Sequence, residues 1–111
     1  MATGYFELKR SGDDQYMFNL KAANHQVILT SETYTARHGA ENGIESVRTN
    51  SGQDGRYERK MSKADQPYFV LTAANGLTIG KSEMYSSTSA MENGIASCKT
   101  NGSGKTVKDE T

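Results

Sequence analysis

Two pairs of carboxylates in this 111-residue chain sit in matching surroundings. Glu32 lies in Ser31-Glu32-x-Tyr34 and Glu83 in Ser82-Glu83-x-Tyr85, while Glu41 and Glu92 each open a Glu-Asn-Gly-Ile string. Paired carboxylates can do general acid and base work, one giving a proton while the other takes one, when both reach the same substrate. Each pair also has a structural use, and the sequence favours it. Glu32 follows a strand-like segment, where it can satisfy backbone groups or the Tyr34 hydroxyl at a strand-to-helix corner. Glu41 falls on a helical pattern beside potential basic partners. The Ser-Glu-x-Tyr string is therefore read as structure rather than catalysis.

Other reactive side chains are sparse. A nucleophile needs a base that is itself held in place, and His25 and His38 are the only histidines. Neither recurs at the matching position of the second copy described below. His25 falls at a turn and His38 on a helix face away from the apolar stripe, so both are expected to be solvated. Cys98 is the only cysteine; it cannot form an internal disulfide and is expected to be a buried thiol. Gly102-Ser103-Gly104-Lys105-Thr106 imitates the end of a phosphate-binding loop. The first glycine of that motif would fall at Lys99, inside a helical stretch, and too little chain follows to supply the helix whose N-terminus faces the phosphate. No spacing of His, Cys and carboxylates converges on a metal. The sequence thus predicts no catalytic, cofactor-binding or metal-binding residues.

These residues are positioned by a duplication. Shifted by 51 residues, Gly4 to Asn50 overlays Gly55 to Asn101 without a gap, with just under half of the positions identical. Within one copy, Tyr5-Phe6-Glu7-Leu8-Lys9 and Tyr16-Met17-Phe18-Asn19-Leu20-Lys21-Ala22 alternate with period two around a polar turn, which predicts a hairpin. Phe6, Leu8, Tyr16, Phe18, Leu20 and Ala22 should face the core, as should Tyr57, Phe69, Leu71 and Ala73. Arg59 stands in place of Leu8, so the first strand of the second copy should be less covered. Asn24-His25 and Asn75-Gly76 suggest type I′ turns leading into third strands at Val27 to Leu29 and Thr78-Ile79.

The period then changes. Ala36, Ala40, Ile44 and Val47 recur as Ser87, Met91, Ile95 and Cys98, the stripe of an amphipathic helix of about 14 residues, with Thr35 and Ser86 as expected caps. Gly43 and Gly94 lie inside these helices, where glycine costs roughly 1 kcal/mol against alanine; close helix-to-sheet approach is the expected reason. Ser51 to Gly55 is too short to separate two domains. Lys105 to Lys108 could add an edge strand to the opposite copy.

A unit of about 50 residues buries too little surface to be comfortable alone, so residues 1–111 are expected to form one domain from repeats at about 4–51 and 55–111. Only 34% of the residues are hydrophobic and none is Trp, which suits helices on one sheet face with the other face wet. The predicted fold is α+β: tandem β-β-β-α-β units forming a single antiparallel sheet, two helices on one face, terminal strands exchanged. Thirteen basic and thirteen acidic residues cancel, removing the overall positive field typical of nucleic-acid binders. The N-terminus, Met1-Ala2-Thr3-Gly4-Tyr5, has no charged and apolar leader, and no segment approaches a membrane span. A cytoplasmic monomer is expected.

With its paired Ala-Ala-Asn, Ser-Glu-x-Tyr and Asn-Gly-Ile strings, the chain resembles the YegP-like family of small bacterial proteins of unassigned function. The resemblance extends through Lys105-Thr106-Val107-Lys108-Asp109. It implies a tandem repeat sharing one sheet with exchanged terminal strands, and single-copy members that reach the same architecture as dimers. It brings no catalytic or binding residues. His25, opposite Gly76, is the visible departure and concerns only the geometry of that turn.

The reading that follows is a small non-catalytic bacterial accessory or binding protein. Its open sheet face would present Tyr5, Glu7, Lys9, Met17, Asn19, Lys21, Tyr68, Val70 and Thr72. Among these, Tyr5, Lys9, Met17, Lys21 and Tyr68 form a candidate binding surface, because rings between basic side chains can stack and hold single-stranded nucleic acid. A nucleic-acid module using that face is one alternative. An enzyme or small-molecule binder with a site in the groove between repeats is the other.

Overall fold

The structure is a computed structural model that describes residues 4–111; the reading of Met1 to Thr3 lies outside the described residues. The first copy contributes β1 (Tyr5–Arg10), β2 (Tyr16–Lys21), β3 (Val27–Ser31) and α1 (Arg37–Asn50). A 3₁₀ turn (Asp54–Arg56) leads to β4 (Tyr57–Met61), β5 (Pro67–Thr72), β6 (Thr78–Lys81), α2 (Thr88–Asn101) and β7 (Val107–Asp109). All seven strands form one sheet in the order β4-β5-β6-β3-β2-β1-β7. The copies join where β3 pairs antiparallel with β6, Thr30 opposite Lys81. These two residues are equivalents under the 51-residue shift, so a pseudo-twofold axis passes between them.

Two particulars refine the expected architecture. β7 lies parallel to β1, which makes the sheet mixed. The exchange also runs one way. The first-copy segment equivalent to Val107–Asp109 is Arg56 to Glu58, in which Arg56 ends the 3₁₀ turn while Tyr57 and Glu58 begin β4 and pair with β5. Only the second copy has a free terminal strand to lend.

The core follows the alternation. Phe6, Leu8, Phe18, Leu20, Phe69 and Leu71 are buried beneath the helices, with Tyr16, Ala22 and Ala73 packed at the margin. α1 rests on β2 of its own copy and reaches β5 and β6 of the other, while α2 rests on β5 and reaches β3 and β2. Each helix therefore covers both copies. β4 is exposed beyond Tyr57, and Arg59 instead holds Glu92 (Nε to Oε2, 2.6 Å) and Asp54 (3.2 Å). Asp54, held by Lys99 and Arg59, has its carboxyl pulled below the usual range.

Both turns expected as type I′ take another form. Ala22 N donates to Gln26 O while His25 N donates to Ala22 O, and Ala73, Leu77 and Gly76 repeat the pattern. This is a three-residue loop ending in one left-handed residue, as found when a type I turn leads into a bulge. Only His25 (φ 71°) and Gly76 (φ 86°) have positive φ in these loops, so Asn24 and Asn75 do not. Their side chains instead accept from Gln26 N and Leu77 N. Asp14 and Asp65 fill the left-handed position of the other two hairpins, in keeping with the tolerance of Asp and His for that region.

The helix caps lie one residue later than expected, because the chain stays extended through Ala36 and Ser87. Ser87 Oγ accepts from Ala90 N at 3.1 Å; its counterpart Ala36 has no side chain to do so. Ala36 is thus a capping position and exposed, and the buried stripe of α1 begins at Ala40.

Candidate functional site

The repeated strings build one structural device twice. Ser31 Oγ accepts from Phe18 N at 2.9 Å and donates to Glu32 O at 2.7 Å; Ser82 does the same with Phe69 N and Glu83 O. The serine thus satisfies strand backbone where the chain leaves the sheet. Tyr34 stacks on Phe18 and Tyr85 on Phe69, with ring planes within 10° and 12° of parallel. The glycines of the helices receive these tyrosines. A Cβ on Gly43 would stand 2.5 Å from Tyr34 Oη, and one on Gly94 would stand closer still to Tyr85 Oη. Burial pushes both phenols up in pKa. The Ser and Tyr of the string, together with the helix Gly, carry the structural role; Glu32 and Glu83 are exposed and make no side-chain hydrogen bond among the described residues.

Glu83 belongs to a cleft between the copies. The first copy supplies Ala22, Asn24 and Gln26 from the β2–β3 turn and Val27 and Ile28 from β3; the second supplies Glu83, Tyr85 and, from α2, Ala90, Asn93, Gly94 and Ser97. Its volume is about 560 Å³. Aliphatic side chains line one part, amides and the hydroxyl residues Tyr85 and Ser97 another, and Glu83 is the sole charged residue in the lining. Small-molecule sites combine apolar walls and a few polar groups in this way.

The candidate residues on the open face fall into two places. Tyr5, Lys9, Met17 and Lys21 lie on β1 and β2, and Tyr68 lies on β5, with β3 and β6 between. The first group is organised around Glu7, which is only 5% exposed. Its Oε1 lies 2.8 Å from Lys9 Nζ and 3.1 Å from Lys21 Nζ. Lys9, with Lys21, holds the Glu7 carboxyl below its ordinary pKa against the opposing effect of burial, and Glu7 raises that of Lys21. One carboxylate thereby offsets part of the charge a nucleic acid would use. Asn19, Val70 and Thr72 are also buried, so this face is less open than alternation implied.

His25 is engaged rather than free, its Nδ1 2.9 Å from Tyr5 Oη. His38 is exposed beside Asn42. Cys98 is fully buried, which pushes its thiol up to about 11; a thiol so disfavoured as thiolate is a poor nucleophile. The Gly102 to Thr106 segment does not form a phosphate cradle. Arg48 takes the Gly104 carbonyl (2.8 Å) and the Lys105 carbonyl (3.2 Å), pinning the tail as it turns toward β1. Among the described residues no three metal-ligating side chains converge, and no helix is long and apolar enough to cross a membrane.

Sequence reasoning named Glu83 but did not place it in a cleft with Asn24 and Asn93, and it passed over Lys81. Those contacts join segments of different copies, and no local pattern reports them. The signal for Lys81 lay in the overlay, as a lysine where the first copy has threonine.

A doubled α+β unit in one mixed sheet, with each helix glycine receiving a tyrosine, defines a protein built from two copies of a single repeat. The chain belongs to the family described as Domain of unknown function (DUF1508), which matches residues 11–58 and again 62–109. It is 56% identical over 109 residues to a UPF0339 protein of Bordetella pertussis, covering 98% of this chain and 97% of that protein. The UPF0339 protein YegP of Escherichia coli is 53% identical over 108 residues, covering 97% and 98%. Two solution NMR structures share the fold. A UPF0339 protein of Shewanella oneidensis has a TM-score of 0.91 at 55% identity over 97% of this chain and 92% of that one. The Escherichia coli yegP structure, titled a protein of unknown function, has 0.95 at 51% over 100% and 96%.

Proposed function

We propose that this is a non-catalytic binding protein, acting as a cytoplasmic monomer, whose ligand occupies the cleft between the two copies. One observation carries the reading: the cleft is assembled from both repeats and mixes aliphatic walls with the amides of Asn24, Gln26 and Asn93. Glu83, its one charge, suits a neutral or cationic small molecule over an anion. Tyr85, which also lines the cleft, adds a hydroxyl a ligand can use.

A thermal-shift screen across small metabolites tests this. A ligand at about a hundredfold its Kd should stabilise the fold by roughly 2.7 kcal/mol, and Ala90→Trp, which fills the cleft, should abolish the effect. Turnover of any hit that Glu83→Gln loses while staying folded would make the protein an enzyme and sink the non-catalytic reading.

Single-stranded nucleic acid on the open face, through Tyr5, Lys9, Met17, Lys21 and Tyr68, is the second reading. Tyr68 beneath Lys81, with Nζ 5.8 Å from the ring centroid, favours it; Glu7 between Lys9 and Lys21 weighs against it. Titration with labelled oligonucleotides at low salt decides, since an unchanged signal at high micromolar protein removes it.

A further inference from the structure

The open face carries a depression at the pseudo-twofold axis itself. Thr30 and Lys81 are equivalents that pair across the axis, so the duplication has placed one lysine at the middle of the sheet. The other strand lysines lie near carboxylates: Lys9 and Lys21 near Glu7, Lys60 near Glu58, Lys108 near Glu110. Lys81 has no carboxylate within 4.0 Å among the described residues, and its ammonium lies instead over the Tyr68 ring. A cation on an aromatic face keeps its charge available.

Around it is a depression of about 330 Å³ whose lining includes Thr30, Glu32, Lys60, Tyr68, Val70, Thr78 and Lys81. Thr30 Oγ1 accepts from Asn19 Nδ2 at 2.9 Å, which leaves its proton to donate. The Lys81 ammonium, that of Lys60 shared with Glu58, and the Thr30 hydroxyl line it together with a ring and a valine. We propose that this depression binds a small organic acid, its carboxylate taken by Lys81 with Lys60 and Thr30, its flat apolar body laid on Tyr68 and Val70. The site is independent of the cleft on the helix side. Glu32, the one carboxylate in the lining, favours a single negative charge over a polyanion.

The test is two-dimensional NMR of the full ¹⁵N-labelled chain titrated with benzoate, benzyl alcohol and benzylamine. Benzoate should give saturable shifts at Thr30, Tyr68, Thr78 and Lys81, and the two other probes none at those amides. Lys81→Thr, which installs the residue the first copy carries at that place, should weaken benzoate at least tenfold while the rest of the spectrum is kept. Lys81→Gln should do likewise, and Lys63→Gln, in the β4–β5 turn, should change affinity less than twofold. The proposal is overturned if benzoate shows no saturable shift, if benzyl alcohol matches it, or if Lys81→Thr binds as the parent does. Oligothymidylate that shifts the same amides and binds more tightly with length would give the face to nucleic acid instead.

Discussion

Leu29 and Gly80 hold the same place in the two copies, and only one of them has a side chain. They sit beside the pseudo-twofold axis on the helix side, where Leu29 is fully buried and a Cβ on Gly80 would meet Leu29 Cγ at 2.9 Å and the Thr30 carbonyl oxygen at 2.8 Å. Two leucines cannot share that position. The duplication is therefore asymmetric where its halves touch, and a dimer of identical units would have to resolve the same collision differently.

Gly80→Ala follows directly. With backbone and a packed leucine as the obstacles, the added methyl should destabilise by about 1 to 3 kcal/mol, the usual range for an overfilled core. Urea unfolding monitored by circular dichroism measures it; an unchanged midpoint would show that the axis has slack.

The tyrosine-on-glycine contact can be separated by a double-mutant cycle. Gly94→Ala should cost about 1 to 3 kcal/mol, because its methyl would overlap the Tyr85 hydroxyl. Tyr85→Phe removes that oxygen and should recover part of the loss. Strictly additive effects would mean that the two residues are not coupled.

Glu7 gives the fold an acid-sensitive element. Its folded pKa is depressed below 4.5 by Lys9 and Lys21, so its stabilising contribution is complete above about pH 4.5 and is lost as pH falls through the depressed value. Glu7→Gln should lower stability at pH 7 and flatten the decline from pH 5 to 3. Equal acid sensitivity in parent and variant would remove Glu7 as its source.

We further propose that the two copies fold as one cooperative domain. Residues 1–52 expressed alone lack β7 and the residue before it, Thr106, whose carbonyl receives Phe6 N in the intact chain at 3.0 Å, and lack the strands that α1 covers in the second copy. The fragment should be unfolded when dilute and self-associate when concentrated. A folded monomer by analytical ultracentrifugation at high concentration would overturn the shared-core account.

The sheet-facing residues, both helices and the edge strand were legible because period and repetition are properties of adjacent residues, and the overlay checks one copy against the other. The turn type was misjudged for a local reason: Asn-Gly fits type I′ at its two central positions, yet Asn75 here accepts from Leu77 N inside a longer loop. The caps slipped by one residue because both Thr35 and Ala36 precede the stripe, and only the backbone shows where extension ends.

The sequence by itself determined the elements and the core face of each strand, since these follow from spacing and from repetition. Tertiary structure alone decided the one-way loan of β7, the tyrosines seated on helix glycines, the Glu7 triad, and which residues meet in the cleft and at the axis. Those are contacts between segments far apart in the chain, fixed by how two near-identical sheets close on each other, and no pattern within either copy encodes that closure.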